Sequence, residues 1–194
     1  MGKCEKLVGI LLAGGESKRF GEPKAFALKG NIPFFVHSLE AMTPYVEKII
    51  IVTNKKLHHR FPSTPAIEII RDIEKYQGKG PLAGMYSTMK NYFSSWYLVA
   101  PVDVPFIKQE LYKELMQFVG DDYDAIIPIA SEKVHPLTAL YRSSVKEKLK
   151  NKLDDDNLSV NGLLKEIRVK YVLFDNDKFF YNINDQDDYK KYMK

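Results

Sequence analysis

The sequence predicts an α/β fold, a single-domain, Rossmann-like three-layer α/β/α sandwich built on a mostly parallel sheet. Short apolar segments alternate with segments of helical spacing through the first two-thirds of the 194 residues. Such alternation is typical of parallel sheets with helices on both faces. No internal repeat and no linker of distinct composition divides the chain, so we expect one domain over residues 1–194.

The predicted strands are short apolar runs that stop at glycine or polar residues. Leu7–Leu12 is a continuous apolar run followed by Gly14 and Gly15, as expected of a buried strand that leads into a loop. Residues 96–100 form a similar run that leads into the proline-rich segment 101–105. The remaining predicted strands cover residues 48–53, 66–70, 124–129, 137–141 and 169–174.

The predicted helices follow apolar spacing and end signals. Residues 34–42 place Phe35, Leu39 and Met42 on one face. Pro81 suits the first turn of a helix over residues 81–93, because the N–H that proline lacks would have no helical partner there. Asp185 is a suitable N-cap for a last helix to residue 193, with acidic residues in its first turn. Further helices are predicted over residues 109–119, 144–152 and 159–167.

Composition excludes several classes of function. A net charge of +4 suits a protein that handles phosphates, but no long Lys/Arg run predicts nucleic-acid binding. Cys4 is the only cysteine, which rules out an intramolecular disulfide and a CxxC zinc pair. His58 and His59 are adjacent, so their side chains diverge and lack metal-ligand spacing. No stretch approaches the roughly 18 apolar residues of a membrane span, and no secretory signal is evident, so we expect a cytoplasmic protein.

A glycine loop, defined as residues 12–21, follows the first predicted strand. Gly14 and Gly15 permit close approach of a phosphate, and exposed N–H groups in such a loop form an anion-binding concavity. Arg19 offers a fixed fork of donors and Lys24 a mobile positive charge. The spacing matches neither the Walker A loop nor the G-x-G-x-x-G dinucleotide motif. Since ligands of parallel sheets bind outside the carboxyl ends of the strands, the loop predicts a triphosphate site.

Two aspartates follow predicted strands. Asp103 lies between Pro101 and Pro105, which restrict the backbone on either side. Because Mg²⁺ takes one or two carboxylates together with phosphate oxygens and water, Asp103 is the predicted magnesium ligand. The alternative is that it caps the helix that begins near Gln109. Asp72 ends another strand and is a candidate for nucleotide binding or, alternatively, a turn aspartate.

Several motifs resemble one family. Residues 12–25, L-A-G-G-E-S-K-R-F-G-E-P-K-A, resemble the opening signature of the nucleotidyltransferases with a glycosyltransferase-A-like fold, and within that group the chain is similar to the molybdenum cofactor guanylyltransferases. Residues 101–106 resemble the magnesium motif P-x-D-x-P-[FY] of that family, and residues 80–84 match its G-P-L-A-G loop. The resemblance implies catalytic roles for Arg19, Lys24 and Asp103, magnesium binding by Asp103, and nucleotide binding by Leu12, Ala13, Gly14, Gly15, Lys24, Asp72, Gly80, Pro81, Leu82 and Asp103.

Two later segments extend the resemblance. Residues 135–140 are similar to the family's H-P-x-x-A-L strand, which implies that His135 faces the second substrate. Residues 182–188, N-I-N-D-Q-D-D, are similar to its closing motif N-[IV]-N-T-P-E-[DE]. Asn182 and Asn184 are therefore candidates for substrate or metal contacts, the alternative being that Asn184 caps the last helix.

The chain departs from the family pattern at two places. Asp185 and Gln186 replace the usual Thr-Pro of the closing motif. Some members of the family place an asparagine inside the second strand, where Val52 stands here, so Asn54 is kept only as a candidate contact.

The resemblance implies the transfer of GMP from GTP to the phosphate of molybdopterin, with Mg²⁺ as cofactor and release of pyrophosphate. Proteins that deliver the molybdopterin cofactor, or molybdoenzymes that receive it, are candidate partners. Two alternatives stay open: a nucleotidyltransferase that uses CTP on the same cofactor or acts on a sugar phosphate, and a non-catalytic nucleotide-binding protein.

Overall fold

The computed structural model describes residues 7–15 and 20–193. These residues form ten strands and six α-helices, joined in places by short 3-10 helices. The strands are β1 (Leu7–Leu12), β2 (Leu28–Lys29), β3 (Ile32–Pro33), β4 (Val46–Val52), β5 (Ile67–Ile70), β6 (Trp96–Pro101), β7 (Ala125–Ala130), β8 (Lys133–Val134), β9 (Ala139–Arg142) and β10 (Val169–Phe174). The helices are α1 (Phe34–Met42), α2 (Pro81–Asn91), α3 (Gln109–Met116), α4 (Lys146–Asp154), α5 (Val160–Leu164) and α6 (Gln186–Tyr192).

Eight of the strands form one sheet in the order β10-β7-β9-β6-β1-β4-β5, with β8 paired to β7. β1 pairs in parallel with β4 on one side and with β6 on the other. β9 runs antiparallel to both of its neighbours, β6 and β7. Leu12 is level with Val52 on one side and with Pro101 on the other, so the carboxyl ends of three strands meet at one edge. The predicted, mostly parallel sheet is confirmed.

Apolar residues of the central strands alternate between the two faces of the sheet. Leu7 and Leu11 belong to one buried cluster, which also contains residues of α1 and α3. Val8 and Ile10 belong to a second cluster, with residues of α2, α4 and α5. Both faces of the strand are therefore covered by helices, which confirms the predicted three-layer α/β/α arrangement. No helix of the described residues is long and apolar enough to cross a membrane.

Several predicted boundaries need correction. The strand expected over residues 137–141 begins only at Ala139, because the amide of Thr138 donates to the carbonyl of His135 in a turn. The helix expected over residues 81–93 ends at Asn91, where the backbone becomes extended at Tyr92. The helices expected to reach residues 119 and 167 also end early.

Two short hairpins were not predicted. Gly30 and Asn31 join β2 to β3, and Ser131 and Glu132 join β7 to β8. All four turn residues have positive φ, between 47° and 64°, as both central residues of a type I′ turn require. β2 and β8 have only two residues each, and a strand that short shows no apolar alternation in the sequence.

Candidate active site

A cleft of about 1960 Å³ opens at the carboxyl ends of β1, β4 and β6. Among the described residues, Leu82 of α2 is predicted for the site but does not line the cleft, because its side chain is fully buried in the core. Arg19 lies outside the described residues. The predicted residues that do line the cleft are Leu12, Ala13, Gly14, Gly15, Lys24, Asp72, Gly80, Pro81, Asp103, His135, Asn182 and Asn184.

The start of the glycine loop is fixed to the strand beside it. The amide of Ala13 donates to the carbonyl of Val52 at 2.8 Å, and the Thr53 hydroxyl donates to the carbonyl of Ala13 at 3.0 Å. Gly14 and Gly15 are exposed, and no described atom lies within 4 Å of a Cβ added to either. The backbone at these glycines is therefore open to a ligand, as expected of a phosphate-binding loop.

Asn54 supports this loop from the end of β4. Its Nδ2 donates to the carbonyl of Gly14 at 3.4 Å. Its Oδ1 accepts hydrogen bonds from the amides of Lys56 and Leu57, at 3.0 and 3.2 Å, which closes an Asx-type turn. Asn54 lines the cleft, and its hydrogen bond to Gly14 supports the glycine loop.

Lys24 and Asp103 form the polar centre of the cleft. Lys24 Nζ lies 3.5 Å from Asp103 Oδ2 and donates to Asn184 Oδ1 at 3.4 Å. The side chain of Asn182 donates to the Asp103 carboxylate, and the amide of Ile183 donates to the Asp103 carbonyl at 2.9 Å. Three motifs that lie far apart in the sequence thus meet at one carboxylate.

Asp103 does not cap a helix, so that alternative is wrong. The residue at the N-cap of α3 is Lys108, and it makes no side-chain cap hydrogen bond. The capping role considered for Asn184 is also wrong, because Asp185 caps α6. The Asp185 side chain accepts hydrogen bonds from the amides of Asp187 and Asp188, which confirms the prediction for Asp185.

Burial sets the electrostatics of Asp103. It raises the pKa of the carboxyl group, and the nearby charge of Lys24 and the Asn182 hydrogen bond oppose that rise. Among the described residues no group of three or more His, Cys, Asp or Glu side chains could hold a metal ion. A single carboxylate in a cleft fits a cation that takes most of its ligands from water and phosphate oxygens, as Mg²⁺ does.

Asp72 follows β5 on the other side of the glycine loop. Its carboxylate accepts a hydrogen bond from the Gly78 amide, whereas Oδ1 is buried and has no hydrogen-bond partner among the described residues. Burial raises the pKa of Asp72 to about 6. A buried acceptor without a partner is destabilising, so a ligand that donates a hydrogen bond here would relieve the cost.

The G-P-L-A-G segment brings α2 close to the sheet. Gly80 has a φ of 72° and precedes Pro81, the first residue of α2. A Cβ on Gly84 would lie 2.7 Å from Leu12 Cδ2 and 3.3 Å from Val52 Cγ1. Gly84 lines the cleft, and the absence of a Cβ there lets the helix pack closely against β1 and β4.

His135 lies on the opposite side of the cleft. Its ring stacks on Phe180, with 4.1 Å between centroids and 17° between planes. Burial lowers the pKa of His135, partly offset by a hydrogen bond to the Ala130 backbone. The imidazole is therefore neutral at pH 7 and is held by stacking rather than by a charged partner.

Sequence reasoning missed several residues of the cleft. Thr53 and Arg71 directly follow or adjoin strand ends, so the rule for carboxyl ends of strands would have found them. Tyr181 and Tyr192 carry no local signal, since only folding of the last segment brings them to the cleft. Other missed residues include Lys55, Lys56, Gln77, Lys133, Asp177 and Phe180.

A family model described as the MobA-like NTP transferase domain matches residues 9–169. The chain belongs to the MobA-like NTP transferase family. The match includes the glycine loop, Lys24, Asp72, the G-P-L-A-G segment and Asp103.

Curated relatives extend the family match over nearly the whole chain. This MobA-like protein is 36% identical over 193 residues to a probable molybdenum cofactor guanylyltransferase of Bacillus anthracis, covering 97% of this chain and 96% of that protein. A protein of the same name from Bacillus cereus is 35% identical over 193 residues, with the same coverage.

Solved structures share the fold. The crystal structure of molybdopterin-guanine dinucleotide biosynthesis protein A from Archaeoglobus fulgidus has a TM-score of 0.80 and 25% identity, covering 96% of this chain and 97% of that one. A 4-diphosphocytidyl-2C-methyl-D-erythritolsynthase from Anaerococcus prevotii has a TM-score of 0.69 and 14% identity, covering 96% and 95% of the two chains. At 14% identity, the second structure shows only that the two proteins share a fold.

Proposed function

We propose that this protein transfers GMP from GTP to the phosphate of molybdopterin, forming molybdopterin guanine dinucleotide and releasing pyrophosphate. The observation that carries the proposal is the meeting of Lys24 and Asp103 beside the open backbone of Gly14 and Gly15. Relatives that match this chain over nearly their whole length and are named molybdenum cofactor guanylyltransferases support the choice of nucleotide and acceptor.

The nucleotide lies on the side of the cleft formed by β1, β4 and β5. Amides of Gly14 and Gly15 bind phosphate oxygens, and Lys24 adds a positive charge. Asp72 accepts a hydrogen bond from the nucleoside, either from a guanine N–H group or from a ribose hydroxyl, through its unpartnered oxygen. The acceptor lies on the other side, near His135, Asn182 and Asn184.

The reaction joins two anions. An oxygen of the molybdopterin phosphate attacks the α-phosphorus of GTP, a new P–O bond forms, and the bond to the β-phosphate breaks as pyrophosphate leaves with the electron pair. A phosphate nucleophile is already ionised at neutral pH, so no general base is needed.

The main work of the chain's own residues is to neutralise charge and to orient the groups that do so. Lys24 stabilises the departing pyrophosphate, and Arg19 is predicted to add a second charge. Asn182 and Asn184 hold Asp103 and Lys24 in place through their side chains. We propose that Asp103 holds Mg²⁺, which when bound neutralises charge on the phosphate oxygens.

Pyrophosphate release from purified protein tests the proposal. The protein is mixed with Mg²⁺, molybdopterin and GTP, CTP, ATP or UTP in turn, and we expect release with GTP only. Release with CTP and none with GTP would make the guanylyl assignment wrong. Pyrophosphate release when a sugar phosphate replaces molybdopterin would show that the acceptor is a sugar phosphate. Tight GTP binding without release would favour the non-catalytic alternative.

A further inference from the structure

The side chain of Gln186 contacts the far end of the glycine loop. Gln186 is the first residue of α6, at the position where the closing motif that residues 182–188 resemble has proline. Its Nε2 donates to the carbonyl of Phe20 at 2.7 Å, across 166 positions of sequence. We propose that Gln186 is a positioning residue that fixes the end of the glycine loop and thereby tunes the binding of the nucleotide phosphates.

Phe20 is the point at which the glycine loop returns to the core. Its side chain is 2% exposed and packs edge-to-face on Tyr189, with 5.6 Å between ring centroids. Beside it, Gly21 has a φ of 86°, and no described atom lies within 4 Å of a Cβ added there. The anchor at Phe20 therefore decides where the described end of the loop lies.

Helix α6 holds the chain on both sides of Lys24. Gln186 binds the backbone at Phe20, before Lys24, and the Tyr189 hydroxyl donates to the carbonyl of Leu28, after it, at 2.7 Å. The residues just before α6 reach the polar centre, since Asn184 accepts a hydrogen bond from Lys24. One short segment thus sets the position of the loop end and of the lysine together.

Gln186 is not needed to start the helix. Asp185 already accepts hydrogen bonds from the amides of Asp187 and Asp188. A proline at position 186 could also begin a helix, but it has no side-chain donor for the Phe20 carbonyl. The glutamine therefore adds a contact to the end of the glycine loop that a proline, as in the closing motif that residues 182–188 resemble, would not make.

The test compares Gln186→Ala and Gln186→Pro with Gln109→Ala. Gln109 makes the same type of bond, from Nε2 to the carbonyl of Glu40 at 3.1 Å, between α3 and α1. Affinities for GTP and for GMP are measured in Mg²⁺, together with amide hydrogen exchange of the ligand-free protein over residues 12–24. A net hydrogen bond is worth about 0.5–1.5 kcal/mol, so the affinity for GTP should fall about 2- to 12-fold in both Gln186 variants.

The affinity for GMP should change less than about twofold, because the loop acts on phosphates that GMP lacks. Exchange over residues 12–24 should speed up in the Gln186 variants and stay at the wild-type rate in Gln109→Ala. Gln186→Met, which keeps the approximate size of the side chain but removes the donor and adds no charge, should behave like Gln186→Ala and guards against misfolding of the proline variant.

The nucleotide readout rests on the proposed function, whereas the exchange readout does not. If wild-type protein binds no GTP, the proposed function fails, and hydrogen exchange alone decides the role of Gln186. Unchanged exchange in all Gln186 variants would overturn the inference. Equal losses of GTP and GMP affinity, or the same loss in Gln109→Ala, would overturn it as well.

Discussion

Lys24 Nζ and Asp103 Oδ2 lie 3.5 Å apart, with 11% and 25% of their side chains exposed. Lys24 follows the glycine loop and Asp103 follows β6, so the pair joins the chain after the loop to the carboxyl end of that strand. A partly buried pair of this kind couples stability to activity, because each partner offsets the cost of burying the other. The consequences for stability and for turnover can be measured separately.

A double-mutant cycle tests the coupling. Lys24→Met leaves the Asp103 carboxylate without its nearest positive charge and should destabilise the fold by about 1–3 kcal/mol. The double variant Lys24→Met/Asp103→Asn has no carboxylate at position 103, so most of the lost stability should be recovered. Urea unfolding of the two single variants and the double variant measures the coupling free energy.

The matched control for this cycle is the pair of Lys48 and Glu68, which are 2.8 Å apart with 35% and 43% of their side chains exposed. Exposed pairs contribute little, so its coupling should stay below about 1 kcal/mol. A Lys24–Asp103 coupling no larger than that of the control would contradict the expectation.

Asp103→Asn separates catalysis from stability. Turnover should fall about 100- to 1,000-fold, the usual effect of removing one electrostatic group from an active site. Stability should change little, because burial raises the pKa of Asp103, and the gain from removing a disfavoured charge offsets the loss of its contact with Lys24. Pyrophosphate release and the thermal midpoint are the two measurements. Asp177→Asn, at another cleft-lining carboxylate, is the control and should keep most of the turnover.

Asp72→Asn should change stability in a pH-dependent way. Burial raises the pKa of Asp72 from 3.8 to about 6, so above pH 6 the folded state carries an unfavourable charge. The asparagine variant should be more stable there by about 1–3 kcal/mol. Below the unfolded value of 3.8 the carboxyl becomes neutral in both states, so the difference should vanish as the pH falls to about 3. Urea unfolding between about pH 3 and pH 8 measures it.

Asp154→Asn provides a control of opposite sign. Hydrogen bonds from Lys150, Lys75 and Tyr76 lower the pKa of Asp154, so its charge stabilises the fold above the unfolded pKa. That variant should be less stable than wild type at pH 7, with the deficit shrinking as the pH falls. A stability difference for Asp72→Asn that does not depend on pH would show that its carboxyl ionises normally.

Gly84→Ala should disturb the cleft through packing alone. The new Cβ would meet Leu12 Cδ2 at 2.7 Å, and overpacking of this kind costs about 1–3 kcal/mol. Because Leu12 lines the cleft, GTP affinity should fall as well, which calorimetry can measure. Gly9→Ala is the control, since its Cβ would meet the flexible end of Met42 at 2.8 Å. Equal effects of the two substitutions on GTP affinity would refute the link to Leu12.

Much of the fold follows from local patterns. The runs of β1 and β6, and residues 49–52 of β4, are apolar because both of their faces are buried, so their position and the place of the cleft could be predicted. The β2–β3 and β7–β8 hairpins could not, because each depends on turn residues with positive φ and on partners outside the local sequence.

The site divides in the same way. Residues that follow strands, such as Asp72 and Asp103, can be predicted from the sequence because parallel strands bring their carboxyl ends to one edge of the sheet. Leu82 shows that a motif match does not predict the direction of each side chain, since its position beside Pro81 gives no sign that its side chain points into the core. Gln186 and Tyr192 depend on where α6 docks, which no local pattern sets. Magnesium dependence, the cytoplasmic location and a single domain over residues 1–194 remain predictions.

The bond between Gln186 and Phe20 also bears on how the protein is made. The glycine loop leaves the ribosome long before the helix whose first residue binds Phe20, because 166 positions of sequence separate the two residues. Until residues 182–189 have emerged, Phe20 lacks its anchor and Lys24 lacks its contact with Asn184. A nascent chain can therefore form β1, β4 and β6 while these two contacts with the last segment are still missing.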